Sequence, residues 1–259
     1  MANRIFMQQG IFIHDYKKLA LDRALVVIGF PSIGLVSSIA SNFIVKQMRL
    51  ERIAAIISDD FPPYSIVHEG NIHPPMRIYA GTRVCDGPGE KCEQLVVITS
   101  EFMPSPNQLR PLVDVIFEWC RKNNIETVLC LEGMNLGENP EQREILAVAT
   151  GERCKKMLAT YGLKEFSEGM VSGVSGVLLY EADRLGHDAI CLLGPARADY
   201  PDARGAARLL EQLAKMLPEL KLDPEPLFKE AESLERELKS AMQAMRQPSK
   251  RSDESVIYS

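Results

Sequence analysis

The sequence predicts an α/β protein with a mostly parallel sheet covered by helices on both faces, an α/β/α sandwich. Three observations predict this class. Short, continuous apolar segments are typical of strands buried on both faces. Segments with apolar residues at helical spacing alternate with them along the chain. The 259 residues are 46% hydrophobic and 25% charged, as in an ordinary globular protein.

The first strand is predicted over residues 24–30, an uninterrupted apolar run that ends near Gly29. Residues 31–34, Pro-Ser-Ile-Gly, then introduce a helix over 35–48. In that segment the apolar residues 35, 36, 39, 40, 43, 44 and 48 follow helical spacing. The pair is the opening strand–helix unit of a parallel sheet.

The same patterns place the remaining elements. A helix over 145–161 follows the Glu-Asn-Pro-Glu start signal, and one over 203–217 begins after Pro201-Asp202 and ends at Pro218. The other predicted helices cover residues 108–123 and 176–185, and the other predicted strands cover residues 52–58, 76–83, 94–99, 127–131 and 189–193.

The composition changes after residue 222, so the α/β domain is predicted over residues 1–222. Pro224 and Pro226 separate residues 223–247 from the body. The apolar residues that follow recur at alternating four- and three-residue intervals, which predicts a helix. This helix either forms a coiled coil between copies of the chain or lies back on the body. Residues 248–259 are predicted to be a flexible tail. The candidate oligomer positions are Leu227, Ala231, Leu234, Leu238, Ala241 and Met245.

Composition excludes several classes of function. A net charge of −5 gives no basic field for nucleic acid. The apolar runs are shorter than the roughly 20 residues that span a membrane, and the first ten residues lack the layout of a signal peptide. We therefore expect a cytoplasmic protein. The six cysteines form no CxxC pair and the four histidines are dispersed, so no metal or cofactor is expected.

Two segments approach catalytic motifs without matching them. Residues 29–34 join a strand to a helix, where a phosphate can bind, but they lack both the GxGxxG spacing and the Lys-Ser/Thr of a P-loop. Residues 173–176 resemble a nucleophile elbow, but Val177 stands where the second glycine is required. A small-molecule binding protein or enzyme that uses these two loops remains the alternative function.

Several motifs, taken in order, resemble one known family. They occur as Gly29-Phe-Pro-Ser-Ile-Gly-Leu-Val-Ser-Ser-Ile-Ala40, Pro62-Pro63, Pro74-Pro-Met-Arg-Ile-Tyr79, Thr99-Ser-Glu101, Gly169-Met-Val-Ser-Gly-Val-Ser-Gly-Val-Leu-Leu179, Leu192-Leu-Gly194, Tyr200-Pro-Asp202 and Ala206-Ala207. On these motifs, residues 10–220 resemble the proteasome assembly chaperone 2 family. The resemblance implies a sandwich similar to nucleoside phosphorylases and a non-enzymatic, archaeal-type chaperone, since a shared fold does not transfer an enzyme's chemistry.

The C-terminus resembles the hydrophobic–tyrosine–any-residue tail by which proteasome chaperones and activators bind the 20S α-ring. Ile257 and the Tyr258 ring would supply rigid apolar burial. The free carboxylate of Ser259 would pair with a cation, which in this family's partners is a lysine between α subunits. The resemblance thus implies Ile257, Tyr258 and Ser259 as the proteasome-binding residues.

Such a tail is short, so its affinity alone is small. Several tails on one oligomer bind more tightly through effective concentration. We therefore expect a homo-oligomer that contacts the α subunits of the 20S proteasome or its precursors. Whether it assists assembly or activates the finished particle without ATP stays open at this level.

Overall fold

The computed structural model describes residues 6–8, 10–21, 24–68, 70–82, 94–135, 144–229 and 231. Its helices are α1 Val36–Gln47, α2 Pro106–Lys122, α3 Gly151–Thr160, α4 Gly173–Leu185 and α5 Ala203–Met216. Its strands are β1 Phe6–Gln8, β2 Ile11–Asp15, β3 Leu25–Gly29, β4 Glu51–Ser58, β5 Ile66–His68, β6 Asn71–His73, β7 Met76–Thr82, β8 Gln94–Ser100, β9 Thr127–Asn135, β10 Leu146–Ala149, β11 Lys164–Glu165 and β12 Asp188–Ala196.

Within these residues, ten strands form one sheet in the order β1-β2-β4-β7-β8-β3-β9-β12-β10-β11. The four central strands, β8, β3, β9 and β12, are parallel to one another. Strands β1, β2, β4 and β7 continue the sheet antiparallel on one side, and β10 pairs antiparallel with β12 on the other. The predicted α/β class is confirmed, with its parallel strands at the centre of the sheet.

Helices cover both faces because the central strands are apolar on both. In β3, Val26 and Ile28 join the core on the side of α2 and α4. Leu25 and Val27, which point the opposite way, join the core on the side of α1, α3 and α5. Burial on both faces explains why β3 is a continuous apolar run rather than an alternating one.

The predicted helix over 145–161 is wrong in its first part. Leu146–Ala149 forms β10, which pairs with β12 from Leu146↔Leu193 to Ala149↔Ile190. The helix α3 begins only at Gly151, whose φ of +67° lies in the left-handed region and interrupts any continuous helix. A four-residue apolar segment fits both the helical and the strand period, so its sequence does not distinguish the two structures. It forms a strand because it pairs with β12.

The start of α2 shows how local sequence positions a helix. Ser105 precedes Pro106 at the first turn, and the Gln108 side chain accepts a hydrogen bond from the Ser105 amide at 3.0 Å. Among the described residues, no helix is long and apolar enough to cross a membrane.

Candidate functional site

The family motifs converge on one edge of the sheet, which we call the strand-end edge. It comprises the segments that follow the carboxyl ends of β3, β4, β8 and β12, the last residues of β9 and the start of α4. Strand β4 is included because it runs antiparallel to β7, and therefore parallel to β8, so that its carboxyl end lies at the same edge. In open α/β sheets this edge carries the ligand and partner sites. The segments are residues 30–35, 59–65, 101–105, 133–135, 172–175 and 197–202.

The turn after β3 is stabilised from within. The Ser32 and Ser37 hydroxyls lie 2.8 Å apart, and the Ser37 amide donates to Ser32 Oγ at 3.3 Å. Ser37 Oγ also donates to the main-chain oxygen of Leu131 on β9, at 2.5 Å. The Ser37 amide and hydroxyl, which would otherwise be free to bind an anion at this helix start, therefore already have partners within the protein.

Close packing also fills the space above this turn. A Cβ on Gly133 would come within 2.2 Å of the Ile33 oxygen, and one on Gly34 within 2.5 Å of the Arg197 oxygen. The Asp202 amide donates to the Gly34 oxygen at 2.7 Å. The Asp202 carboxylate accepts from the amides of Arg197 and Gly205. Protein atoms therefore fill the space where a phosphate would bind at residues 29–34, and the acidic side chain of Asp202 lies beside it.

The second loop of the alternative function holds a serine–glutamate pair. Ser175 Oγ donates to Glu132 Oε2 at 2.8 Å. Burial raises the pKa of Glu132 to about 7, although the Ser175 hydroxyl and the Gly133 amide lower it. His187 lies beyond the other end of α4, where its ring stacks on Phe117 with centroids 4.9 Å apart. His187, the histidine nearest to Ser175 in the sequence, therefore lies at the opposite end of α4 from Ser175.

Two further motifs meet through an ion pair that the sequence analysis did not anticipate. Arg77 Nη2 donates to Glu101 Oε1, and the Glu101 amide donates to the Pro75 oxygen at 3.0 Å. Arg77 also faces Thr99 directly across the β7–β8 ladder. An arginine in an otherwise apolar strand, and a glutamate immediately after another, were the available signals for this pair.

The strand-end edge also exposes apolar side chains. Met103 is 44% exposed, and its Cε lies 3.4 Å from where a Cβ on Gly173 would be. A cleft of about 430 Å³ lies between the loop after β4 and the prolines that precede β7. Exposed apolar side chains of this kind are suited to protein contacts. The exposed apolar members of this edge are Ile33, Leu35, Tyr64 and Met103.

The predicted proteasome-binding residues Ile257, Tyr258 and Ser259 lie outside the described residues, as do Leu234, Leu238, Ala241 and Met245. Leu227 is 4% exposed and belongs to the same buried cluster as Leu220 and Leu222. Ala231 is buried as well. At its beginning, the C-terminal helical segment therefore packs against the body. Among the described residues, no group of three or more His, Cys, Asp or Glu side chains is placed to hold a metal ion.

The chain is similar to two solved archaeal structures over nearly its whole length. Pyrococcus furiosus PbaA, described as an archaeal homolog of proteasome-assembly chaperone, is 32% identical with a TM-score of 0.79, covering 90% of this chain and 92% of that one. Pyrococcus furiosus PbaB, described as an archaeal proteasome activator, is 20% identical with a TM-score of 0.76, covering 91% and 100% of the two chains. The PbaB likeness shows the fold alone.

Sequence comparison gives the same grouping. An uncharacterized protein of Methanocaldococcus jannaschii is 31% identical over 242 residues, which are 93% of this chain and 95% of the relative. A second uncharacterized protein of that organism is 26% identical over 217 residues, covering 83% and 81%. The profile of the PAC2 family matches residues 26–242. The ordered motifs, the sheet they form and these matches agree, and the chain belongs to the PAC2 family.

Proposed function

We propose that this protein is a non-enzymatic proteasome assembly chaperone, which binds the 20S α-ring or its precursors through Ile257, Tyr258 and Ser259. The observation that carries the proposal is its 32% identity to PbaA across 90% of the chain, because PbaA is described as a homolog of proteasome-assembly chaperone. The C-terminal Ile-Tyr-Ser adds a second feature that fits the same partner.

The geometry of the strand-end edge supports a binding role. The turn over residues 29–34 is closed by its own hydrogen bonds and by Asp202. Ser175 is paired with a carboxylate instead of an imidazole, so its hydroxyl lacks the usual general base of a nucleophilic serine. What this edge does offer is exposed apolar side chains, which are suited to a protein surface.

Several tails on one oligomer of this chain would bind the 20S particle with an avidity that a single tripeptide lacks. We therefore propose a homo-oligomer, held in part by Leu234, Leu238, Ala241 and Met245, since Leu227 and Ala231 are buried within the chain itself. The buried Leu227 anchors the start of the predicted C-terminal helix on the body.

The experiment that tests the binding mode uses immobilised 20S particles and the full chain. Tyr258→Ala should lower binding strongly, because the ring and hydroxyl of Tyr258 are both lost. Tyr180→Ala removes a 50% exposed tyrosine from α4 and is the matched control. Equal binding by the two variants would contradict the role given to the tail.

A further inference from the structure

Several buried polar side-chain atoms of the described residues have no hydrogen-bond partner. Buried side-chain nitrogen and oxygen atoms almost always have hydrogen-bond partners in native proteins. Three that have none lie on β7, on β8 and on α1, the helix that packs on β8, and we call this place the Arg77 niche. They are Arg77 Nε, Thr99 Oγ1 and Ser38 Oγ.

Arg77 and Thr99 form the floor of the niche. They are directly opposite each other in the antiparallel β7–β8 ladder, so their side chains share one face of the sheet. Thr99 is 1% exposed and Arg77 is 4% exposed. That face is the one covered by α1, because Leu95 and Val97, which precede Thr99 at two-residue intervals, pack in the α1 core.

Ser38 comes from the helix above. Ser41, one turn later on α1, lies over Gly29, where a Cβ would meet its Oγ at 2.3 Å. Gly29 is the neighbour of Thr99 on the adjacent strand. Val36 and Ser37 turn toward β9, so the helical rotation carries Ser38 to the opposite side, toward β8.

The charges around the niche are mostly positive. Arg77 lies over the Tyr79 ring, with 6.0 Å from its Cζ to the ring centroid, and pairs with Glu101. Arg52 donates to the Ile72 oxygen at 3.1 Å and lies 2.9 Å from His73 Nδ1. Burial, Arg52 and Arg77 together hold the pKa of His73 below its usual value. Arg77 and Arg52 thus both act on His73, while the Glu101 carboxylate pairs with Arg77.

We propose that the Arg77 niche binds a small oxyanion of the phosphate type. Its unpaired groups are a guanidinium N–H and two hydroxyls, which are the donors that bind phosphate oxygens. Ser38 also lies in the first turn of the 12-residue α1, where the helix dipole favours negative charge. The niche differs from both loops of the alternative function, because neither residues 29–34 nor residues 173–176 contribute its unpaired atoms.

The test is the thermal unfolding of the full chain titrated with inorganic phosphate, against sodium chloride at matched ionic strength. We expect a saturable rise in the unfolding temperature with phosphate only. Thr99→Val keeps the side-chain shape and removes one donor, so its phosphate Kd should be about tenfold weaker. Thr160→Val, at the exposed end of α3, is the matched control and should bind phosphate as the unaltered chain does.

A second variant moves affinity in the opposite direction. Glu101→Gln removes the carboxylate beside Arg77 and should tighten phosphate binding several-fold. The proposal is overturned if phosphate acts no differently from chloride, or if Thr99→Val binds it as tightly as the unaltered chain. A crystal structure grown with phosphate that shows only water on Arg77 Nε and Thr99 Oγ1 would overturn it too. None of these outcomes bears on proteasome binding.

Discussion

The Ser175 hydroxyl donates a hydrogen bond to Glu132 Oε2 across 2.8 Å and thereby joins the first turn of α4 to β9. Burial outweighs this hydrogen bond and raises the pKa of Glu132 from its usual 4.5 to about 7. The folded protein thus holds a proton on Glu132 that the unfolded chain releases at lower pH.

This pair predicts a specific pH dependence. Between about pH 4.5 and pH 7 the folded state binds more protons than the unfolded state, so the free energy of unfolding should fall as pH rises through that range. Glu132→Gln removes the titration and should be more stable than the unaltered chain at pH 8, by up to about 3 kcal/mol. At pH 4 the two should differ little.

Urea denaturation at a series of pH values measures this difference. Glu168→Gln, at an exposed position, is the control and should keep the slope of the unaltered chain. If the Glu132→Gln protein showed that same slope, Glu132 would not be the group responsible.

Gly133 is predicted to be intolerant of any side chain. A Cβ there would meet the Ile33 oxygen at 2.2 Å and Val36 Cγ2 at 2.8 Å, so main chain must move. Gly133→Ala should lower the free energy of unfolding by about 1–3 kcal/mol. Gly81→Ala is the comparison, because its Cβ would meet only the flexible Leu50 side chain closely, at 2.6 Å to Cδ2. Equal losses in the two variants would contradict this packing.

Much of the architecture follows from sequence because its signals are local. The continuous apolar run of β3 and the start signal of α5 each depend only on residues that are close in sequence. Strand β10 and the β5–β6 hairpin were missed for the opposite reason. Four or fewer residues carry too little periodicity, and β10 is a strand because β12 offers it an open edge.

The site was less predictable than the fold. The motif residues Arg77, Thr99 and Glu101 were identified from sequence, but their meeting depends on the β7–β8 register. Glu132 carried a signal that went unused, since it is a lone carboxylate in the apolar strand β9. The closure of the turn over residues 29–34 depends on Asp202, which is distant in sequence, so no local pattern could indicate it.

Asp202 should contribute to stability as the N-cap of α5. Its carboxylate accepts from the Gly205 amide at 2.8 Å and the Arg197 amide at 2.9 Å. Asp202→Ala leaves both amides without this acceptor and should cost about 1–2 kcal/mol. Asp202→Asn should cost less because an amide oxygen can still accept. Chemical denaturation of the three proteins measures this order. An alanine variant as stable as the unaltered chain would refute the capping role.

The C-terminal segment should separate into a stabilising part and an assembly part. Leu227 is buried in the same hydrophobic cluster as Leu220. Leu227→Ala should therefore lower the free energy of unfolding by about 2–3 kcal/mol. Leu238→Ala lies further along the same predicted stripe and should shift the sedimentation coefficient toward the monomer. An unaltered chain that sediments only as a monomer would contradict the proposed oligomer.

The most direct test of the account is native-gel binding to a purified 20S core particle from the same source. It compares the full-length chain with one that ends at Ser255, which lacks Val256 and the three proposed binding residues. We predict that the full-length chain shifts the 20S band and that the shortened chain, folded as judged by circular dichroism, does not. Equal binding by both would place the contact on the α/β body or the C-terminal helical segment and would contradict the tail mechanism.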